Sequence, residues 1–282
     1  MKNPLRKRLL RELKSEIGKY LVIFLLLIGT IGFVSGFLVA DGSMITAYNE
    51  GFEKYNIEDG NFRLTEKANK AQKKTIQSFG VTLYENFYAE EKLTNDSTLR
   101  IFKNREDVNK VCLMEGAMPE NIGEIAIDRM YADNNEICVG DTLSSDGRSW
   151  TVTGLIALSD YSCLFSNNND SMFDSVKFGV SVVTADEFSS FSEEELNYSY
   201  SWKYNVEPVD EAGEKQMSED LMKQISSEAS LEDFVPCYLN QAIQFTGEDM
   251  GSDRAMMVAL LHIVIVIMAF VFGITISNTI NK

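Results

Sequence analysis

The sequence predicts an α+β domain, a mixed sheet with helices, flanked by two transmembrane α-helices. Three observations predict it. Residues 21–40 and 255–280 carry no charged side chain, and about 20 apolar residues suffice to take a helix across a bilayer core. Charge is zoned along the chain. Residues 1–20 hold seven Lys/Arg against two acids, whereas residues 41–254 hold 18 Lys/Arg against 40 Asp/Glu. Between the two runs, short alternating strands interleave with amphipathic helices and turn residues, the pattern of a mixed body. The expected organisation is a basic amphipathic cytoplasmic helix (1–19), a first span (20–40) and an α+β domain with helical stalks outside the membrane (41–254). A second span (255–280) and the start of a cytoplasmic segment (281–282) complete it.

In the leader, Asn3 can cap a helix and Pro4 suits its first position. Leu5, Leu9, Leu10, Leu13, Ile17 and Tyr20 then share one face, while Arg6, Lys7, Arg8, Arg11 and Lys14 take the other. Such a helix should lie along the inner leaflet. The first run exceeds the about 7–15 apolar residues of a signal peptide, and Leu38-Val39-Ala40 is a weak cleavage site. It reads as an uncleaved span. Positive charge stays inside, so the leader is expected in the cytoplasm and residues 41–254 outside.

In the body, residues 41–55 read as an outward stalk. Asp59 and Gly60 mark a turn before the strand NFRLTEK. Residues 68–79 read as a helix with Lys on one side. Residues 81–103 hold two or three strands with Asn95 and Asp96 at a turn, and KVCLMEG is another strand. Residues 131–136 read as a short helix or loop. Gly140-Asp141 and Ser145-Asp146-Gly147 are turns, and a strand starts at Trp150. Residues 167–170 form a polar loop, 178–183 a strand and TADEF a short helix. Glu193, Glu194 and Glu195 are a solvated face. YSYSWKYNVEP alternates as a half-exposed strand ending at Pro208. Residues 210–229 form an amphipathic helix with Met217, Leu221, Met222 and Ile225 inward. Residues 245–253 read as a short outer segment before the second span.

No catalytic, cofactor-binding or metal-ligating residue stands out. The single histidine, His262, falls in the second apolar run and outside the body. It reads as an interfacial residue near the outer end of a span over 260–280. Without histidine the body has no Ser/His/Asp or Cys/His constellation, and its 40 acids make any chosen carboxylate pair uninformative. There is no GxxxxGK[ST] phosphate loop. The 167–170 loop lacks the Gly and alternating acids of a calcium loop. Cys112, Cys138, Cys163 and Cys237 show no CxxC spacing. Two disulfides and four free thiols both remain open, since four cysteines allow three pairings. Met114, Met118 and Met130 read as core. An acidic body excludes nucleic acid as a partner.

The stretch from Gly116 to Ala157, GAMPENIGEIAIDRMYADNNEICVGDTLSSDGRSWTVTGLIA, resembles the extracytoplasmic core domain of MacB/FtsX-like ABC transporter permeases. Gly116 and Pro119, Gly123-Glu124-Ile125, Val139-Gly140-Asp141 and Val152-Thr153-Gly154 carry the likeness, in the family order of turn, strand, short helix, turn and strand ending at Val-x-Gly. NPLRKRLLRELK resembles the family's basic leader and ISNTI (276–280) the cytoplasmic end of its second span. The resemblance implies a bacterial cell membrane location and a separate ABC-type ATPase subunit. It also implies a homodimer or paired permease, a possible peptide or protein client outside, and a mechanical role without cofactor. Permeases of this family continue past the second span, so a longer natural chain is expected. The competing expectation is a two-span receptor or sensor with a ligand-binding outer domain.

Overall fold

The computed structural model describes Lys14 and residues 17–280; the leader helix expected over 1–19 lies almost wholly outside the described residues. The elements, in order, are helix α1 (Ile17–Lys54), β1 (Gly60–Leu64), α2 (Lys70–Gln77), β2 (Val81–Glu85), β3 (Tyr88–Lys92), β4 (Thr98–Lys103), β5 (Val111–Gly116), β6 (Glu124–Asp128) and α3 (Arg129–Asn134). There follow β7 (Thr142–Ser144), β8 (Ser149–Leu158), β9 (Phe178–Val183), α4 (Ala185–Phe188), β10 (Leu196–Tyr204), α5 (Glu211–Glu228), β11 (Leu231–Pro236) and α6 (Gln241–Ile280). Two compact units result, Tyr48–Gly247 and the pair Met1–Ala47 with Glu248–Lys282.

The second of these units contains most of α1 and α6. Both helices are long and apolar enough to cross a membrane, and nearly all their apolar side chains are exposed. Leu21, Phe24, Phe33 and Val39 on α1, and Ile263, Ile267, Phe270 and Ile274 on α6, are each about half exposed or more. Unpartnered apolar surface on this scale fits hydrocarbon rather than water. Among its described residues, Val34, Asp41, Met250 and Met268 have buried side chains. Helix α6 begins at Gln241, so the outer segment expected over 245–253 is already its first turns.

The α+β unit is one path of strands, β11-β1-β10-β3-β4-β9-β6-β8-β5, with β2 also on β10 and β7 on β8. All pairs are antiparallel except β4–β9 and β6–β8. Strand β10 joins two halves. Its Tyr200–Tyr204 stretch pairs β2, Leu196 and Asn197 pair β3, and the partner strand is interrupted between them at Asn86 and Phe87. The smaller half packs α2 and α5 on β11-β1-β10-β2. Its core is Phe62, Leu64, Ile76, Tyr200, Trp202, Leu221 and Ile225. The larger half closes over β4, β9, β6 and β8. Its core includes Ile101, Ile125, Trp150, Val180 and Tyr131. Every residue of β9 is buried, as FGVSVV requires of a strand covered on both faces.

Local chemistry explains the boundaries. Asn69 and Gln72 form a capping box on α2, Asp128 caps α3, and Asp210 caps α5. Gly179 sits under the Tyr131 ring, where an added Cβ would lie 2.5 Å from Cγ.

Several sequence expectations need correction. Strand β8 does not end at Gly154 but continues to Leu158, because Leu155, Ile156 and Leu158 are core residues. The YSYSW strand stops at Tyr204 rather than Pro208. Met114 and Met130 are not core; they are 48% and 36% exposed. Strand β5 is the edge strand, with a bulge between Leu113 and Glu115, so its far half has nothing above it. Met222 points outward, 37% exposed, while Leu221 and Ile225 take the inner face. Strand β11 was not foreseen, because LEDFVP carries two adjacent acids, Glu232 and Asp233.

Candidate functional site

The interruption at Asn86 and Phe87 falls where the two halves of the sheet meet, beside a cleft of about 350 Å3. Period-two alternation supplies its walls. In β1, Phe62 and Leu64 go to the core while Asn61 and Arg63 line the cleft. In β10, Tyr200 and Trp202 go inward and Ser199 lines the cleft beside Ser201. Strand β4 presents Arg100. The turn after β8 adds Asp160 and Tyr161, and the start of α6 adds Asn240 and Ala242.

Its deepest part is a buried ion pair. Arg105 grips Asp160 with two hydrogen bonds, Nη1 to Oδ2 at 2.6 Å and Nη2 to Oδ1 at 2.7 Å; the two side chains are 6% and 4% exposed. Arg105 also donates to Asn86, which donates to Ser201. Ser201 and Asn109 donate to Glu58 Oε2 and Asn61 donates to Oε1. Burial raises the Glu58 carboxyl above its ordinary value and the charge of Asp160 raises it further, while the bonds from Ser201, Asn61 and Asn109 offset part of this.

A second guanidinium closes one side. Arg100 lies 4.4 Å over the Tyr88 ring and 4.9 Å over Phe178. It donates to Glu90, the Tyr161 hydroxyl and the Ser166 carbonyl. Burial pushes the Tyr161 phenol up to about 12, so it stays neutral.

The same cleft is where both terminal helices take root in the α+β unit. The end of α1 leads through Tyr55 and Asn56, whose carbonyls accept from Lys110 and Asn109, to Ile57 and Glu58. At the start of α6, Ser162 donates to the Ala242 carbonyl at 2.8 Å, with the Ile243 carbonyl at 3.1 Å. Thr246 donates to Ser162, Tyr48 donates to the Ile243 carbonyl, and Asn168 accepts from the Gln241 amide. Phe165, Phe173 and Phe245 stack edge-on around this joint. The turn carrying Asp160 and Tyr161 is therefore bound directly to the root of α6.

Of the residues weighed from sequence, Asn167, Asn168 and Asn169 of the polar loop line the cleft; the histidine and the cysteines do not. His262 is exposed on α6, its Nδ1 2.7 Å from the Val258 carbonyl. Cys112, Cys138 and Cys237 are free thiols; Cys163 and Cys237 are buried against the root of α6, Cys112 is half-buried and Cys138 exposed. Burial pushes the Cys237 thiol up to about 12. Among the described residues no group of three His, Cys, Asp or Glu could hold a metal ion. Sequence reading missed Glu58, Arg105 and Asp160. The available signal was the serine-aromatic alternation of YSYSW, a strand with a small polar face.

The fold and cleft define a class: a mixed α+β body, anchored at both ends by helices of membrane-spanning length, with a polar joint where those helices enter. No family model matches the chain, and no curated protein matches it. Among solved structures it is similar to the periplasmic region of MacB from Actinobacillus actinomycetemcomitans, at 13% identity and TM-score 0.36, covering 67% of this chain and 91% of that one. It is also similar to the extracellular domain of the noncanonic ABC-type transporter YknZ from Gram-positive bacteria, at 11% identity and TM-score 0.33, covering 61% of this chain and 100% of that one. The fold class rests on the strand pairing and cores described above.

Proposed function

We propose that this chain is a membrane-spanning permease subunit of an ABC-type transporter in a bacterial cell membrane. Its leader is cytoplasmic and its α+β body lies outside. Adenosine triphosphate is hydrolysed by a separate ATPase subunit, and this chain performs no chemistry of its own. It carries the motion of that subunit to the body, which handles a peptide or protein client as one half of a homodimer or paired permease. The reading is supported by one observation above all: both terminal helices root at the rim of one polar cleft. The root of α6 is pinned by Ser162, Thr246 and Tyr48 two residues from Asp160. A displacement of either helix has a short path to the Arg105–Asp160 pair, and coupling needs such a shared element biased from both ends.

The test is co-purification of the full chain with the ATPase encoded beside it, followed by ATP turnover with and without the permease. Stimulated turnover that falls in Ser162→Ala/Thr246→Val, with complex formation intact, is the expected result. An absent ATPase partner, or turnover indifferent to the permease, rejects the reading in favour of a two-span receptor.

A further inference from the structure

The body is strongly acidic, yet residues 67–84 contain four lysines and no acid. Lys67, Lys70, Lys73 and Lys74 fall on α2 and its approach. Helix α2 is held down by Ile76, which is fully buried, and by the Tyr200 hydroxyl, which accepts from the Ala68 amide. The lysine side is thereby turned outward in a fixed orientation. Lys70, Lys73 and Lys74 line a groove of about 390 Å3 with Leu83, Glu85 and Tyr200. Lys73 is neutralised by Glu85 at 2.6 Å. Lys70 and Lys74 have no carboxylate within ion-pair distance among the described residues. Like charges at three- and four-residue spacing destabilise a helix by about 0.2–0.5 kcal/mol per pair. The fold keeps this repulsion although acids are abundant elsewhere in the body.

We propose that the α2 groove binds a phosphomonoester-bearing ligand. The charge balance selects the class. Two unpaired ammonium groups match the about −1.5 to −2 charge that a phosphomonoester carries at neutral pH, and lysine serves phosphate as a flexible point charge. A carboxylate brings half that charge and would leave one lysine unmatched. The apolar Leu83 and the Tyr200 ring give the groove a floor for the group that bears the phosphate. The source is a soluble phosphate ester or the headgroup of a lipid, and the chemistry is shared. The inference stands apart from the permease reading, because α2 lies away from the helix roots and needs no ATPase.

The test uses the full chain in phosphatidylcholine nanodiscs. Glycerol 3-phosphate is titrated calorimetrically, with succinate as the dicarboxylate control. A parallel arm measures flotation of the discs with phosphatidylcholine vesicles with and without phosphatidic acid. Glycerol phosphate binding identifies a soluble source; flotation that needs phosphatidic acid identifies a lipid source. In either case Lys70→Gln/Lys74→Gln should weaken binding about tenfold or more, the equivalent of one charge-assisted hydrogen bond, and Lys215→Gln on α5 should leave it unchanged. Equal binding of succinate, no binding in either arm, or indifference to the double variant overturns the proposal.

Discussion

Arg105→Met tests whether the cleft is held by charge. Arg105 and Asp160 form a buried bidentate contact, with 6% and 4% of their side chains exposed. Glu58 adds a second buried carboxyl close enough for Asp160 to raise it. Deleting the guanidinium leaves Asp160 without its ion-pair partner. Breaking a buried pair in this way costs about 3–5 kcal/mol, because the orphan charge keeps its desolvation penalty. For a body of this size each kcal/mol lowers the melting temperature by about 2–4 °C, so a fall of about 6–20 °C is expected at pH 7.5. Replacing both partners, Arg105→Met/Asp160→Leu, removes the charges together and should recover most of the loss. Tryptophan fluorescence reads the transition in each half, since Trp150 lies in the larger core and Trp202 in the smaller. Melting of the full chain in micelles, with each tryptophan alone through Trp→Phe changes, resolves which half fails first. A single variant within 1 °C of the parent, or a double variant as unstable as the single, would refute the reasoning.

Glu58→Gln should stabilise the fold at neutral pH. A carboxyl raised in the folded state binds its proton more tightly there than in the unfolded chain, so its ionisation costs stability as pH climbs above its ordinary value of 4.5. The gain from Gln should shrink toward zero as pH falls to that value; a gain constant with pH contradicts the burial argument. Gly179→Ala should cost about 1–3 kcal/mol by overpacking. Tyr131 cannot retreat, because its hydroxyl bonds Ser97 at 2.7 Å and accepts from Asn95; an unchanged melting temperature would mean the ring is free to move. A membrane-impermeant maleimide applied to intact cells should label Cys138 and spare Cys163 and Cys237, which are buried. Cys138 reacting only after lysis would reverse the orientation.

The parts of this molecule that sequence reveals are those in which a local rule sets the outcome. The two apolar helices follow from length and charge alone. Strand β9 follows from an apolar run interrupted only by Ser181, and α5 from its inner Leu221 and Ile225. Edges fail for the opposite reason. Met114 looks like core in KVCLMEG because local pattern cannot say that no further strand follows β5. Met222 is assigned inward by period, but the partner sheet covers only a narrower stripe of α5.

The cleft was illegible because its charges meet from distant places in the chain. Glu58, Arg105 and Asp160 lie about 50 residues apart from one to the next, and each is one of many of its type. What selects them is the junction at Asn86, where β10 passes from pairing with β2 to pairing with β3. Sequence does record the consequence, in the serines that alternate with aromatics along β10. A strand whose second face is Ser199 and Ser201, 8% and 0% exposed, is polar without being solvated, and a buried polar face must find partners. For Ser201 those partners are Glu58 and Asn86. The alternation that fills the smaller core with Tyr200 and Trp202 thus also builds the polar joint behind it. A substitution on either face of β10 should therefore be felt at both, in the packing of α2 and α5 and at the root of α1.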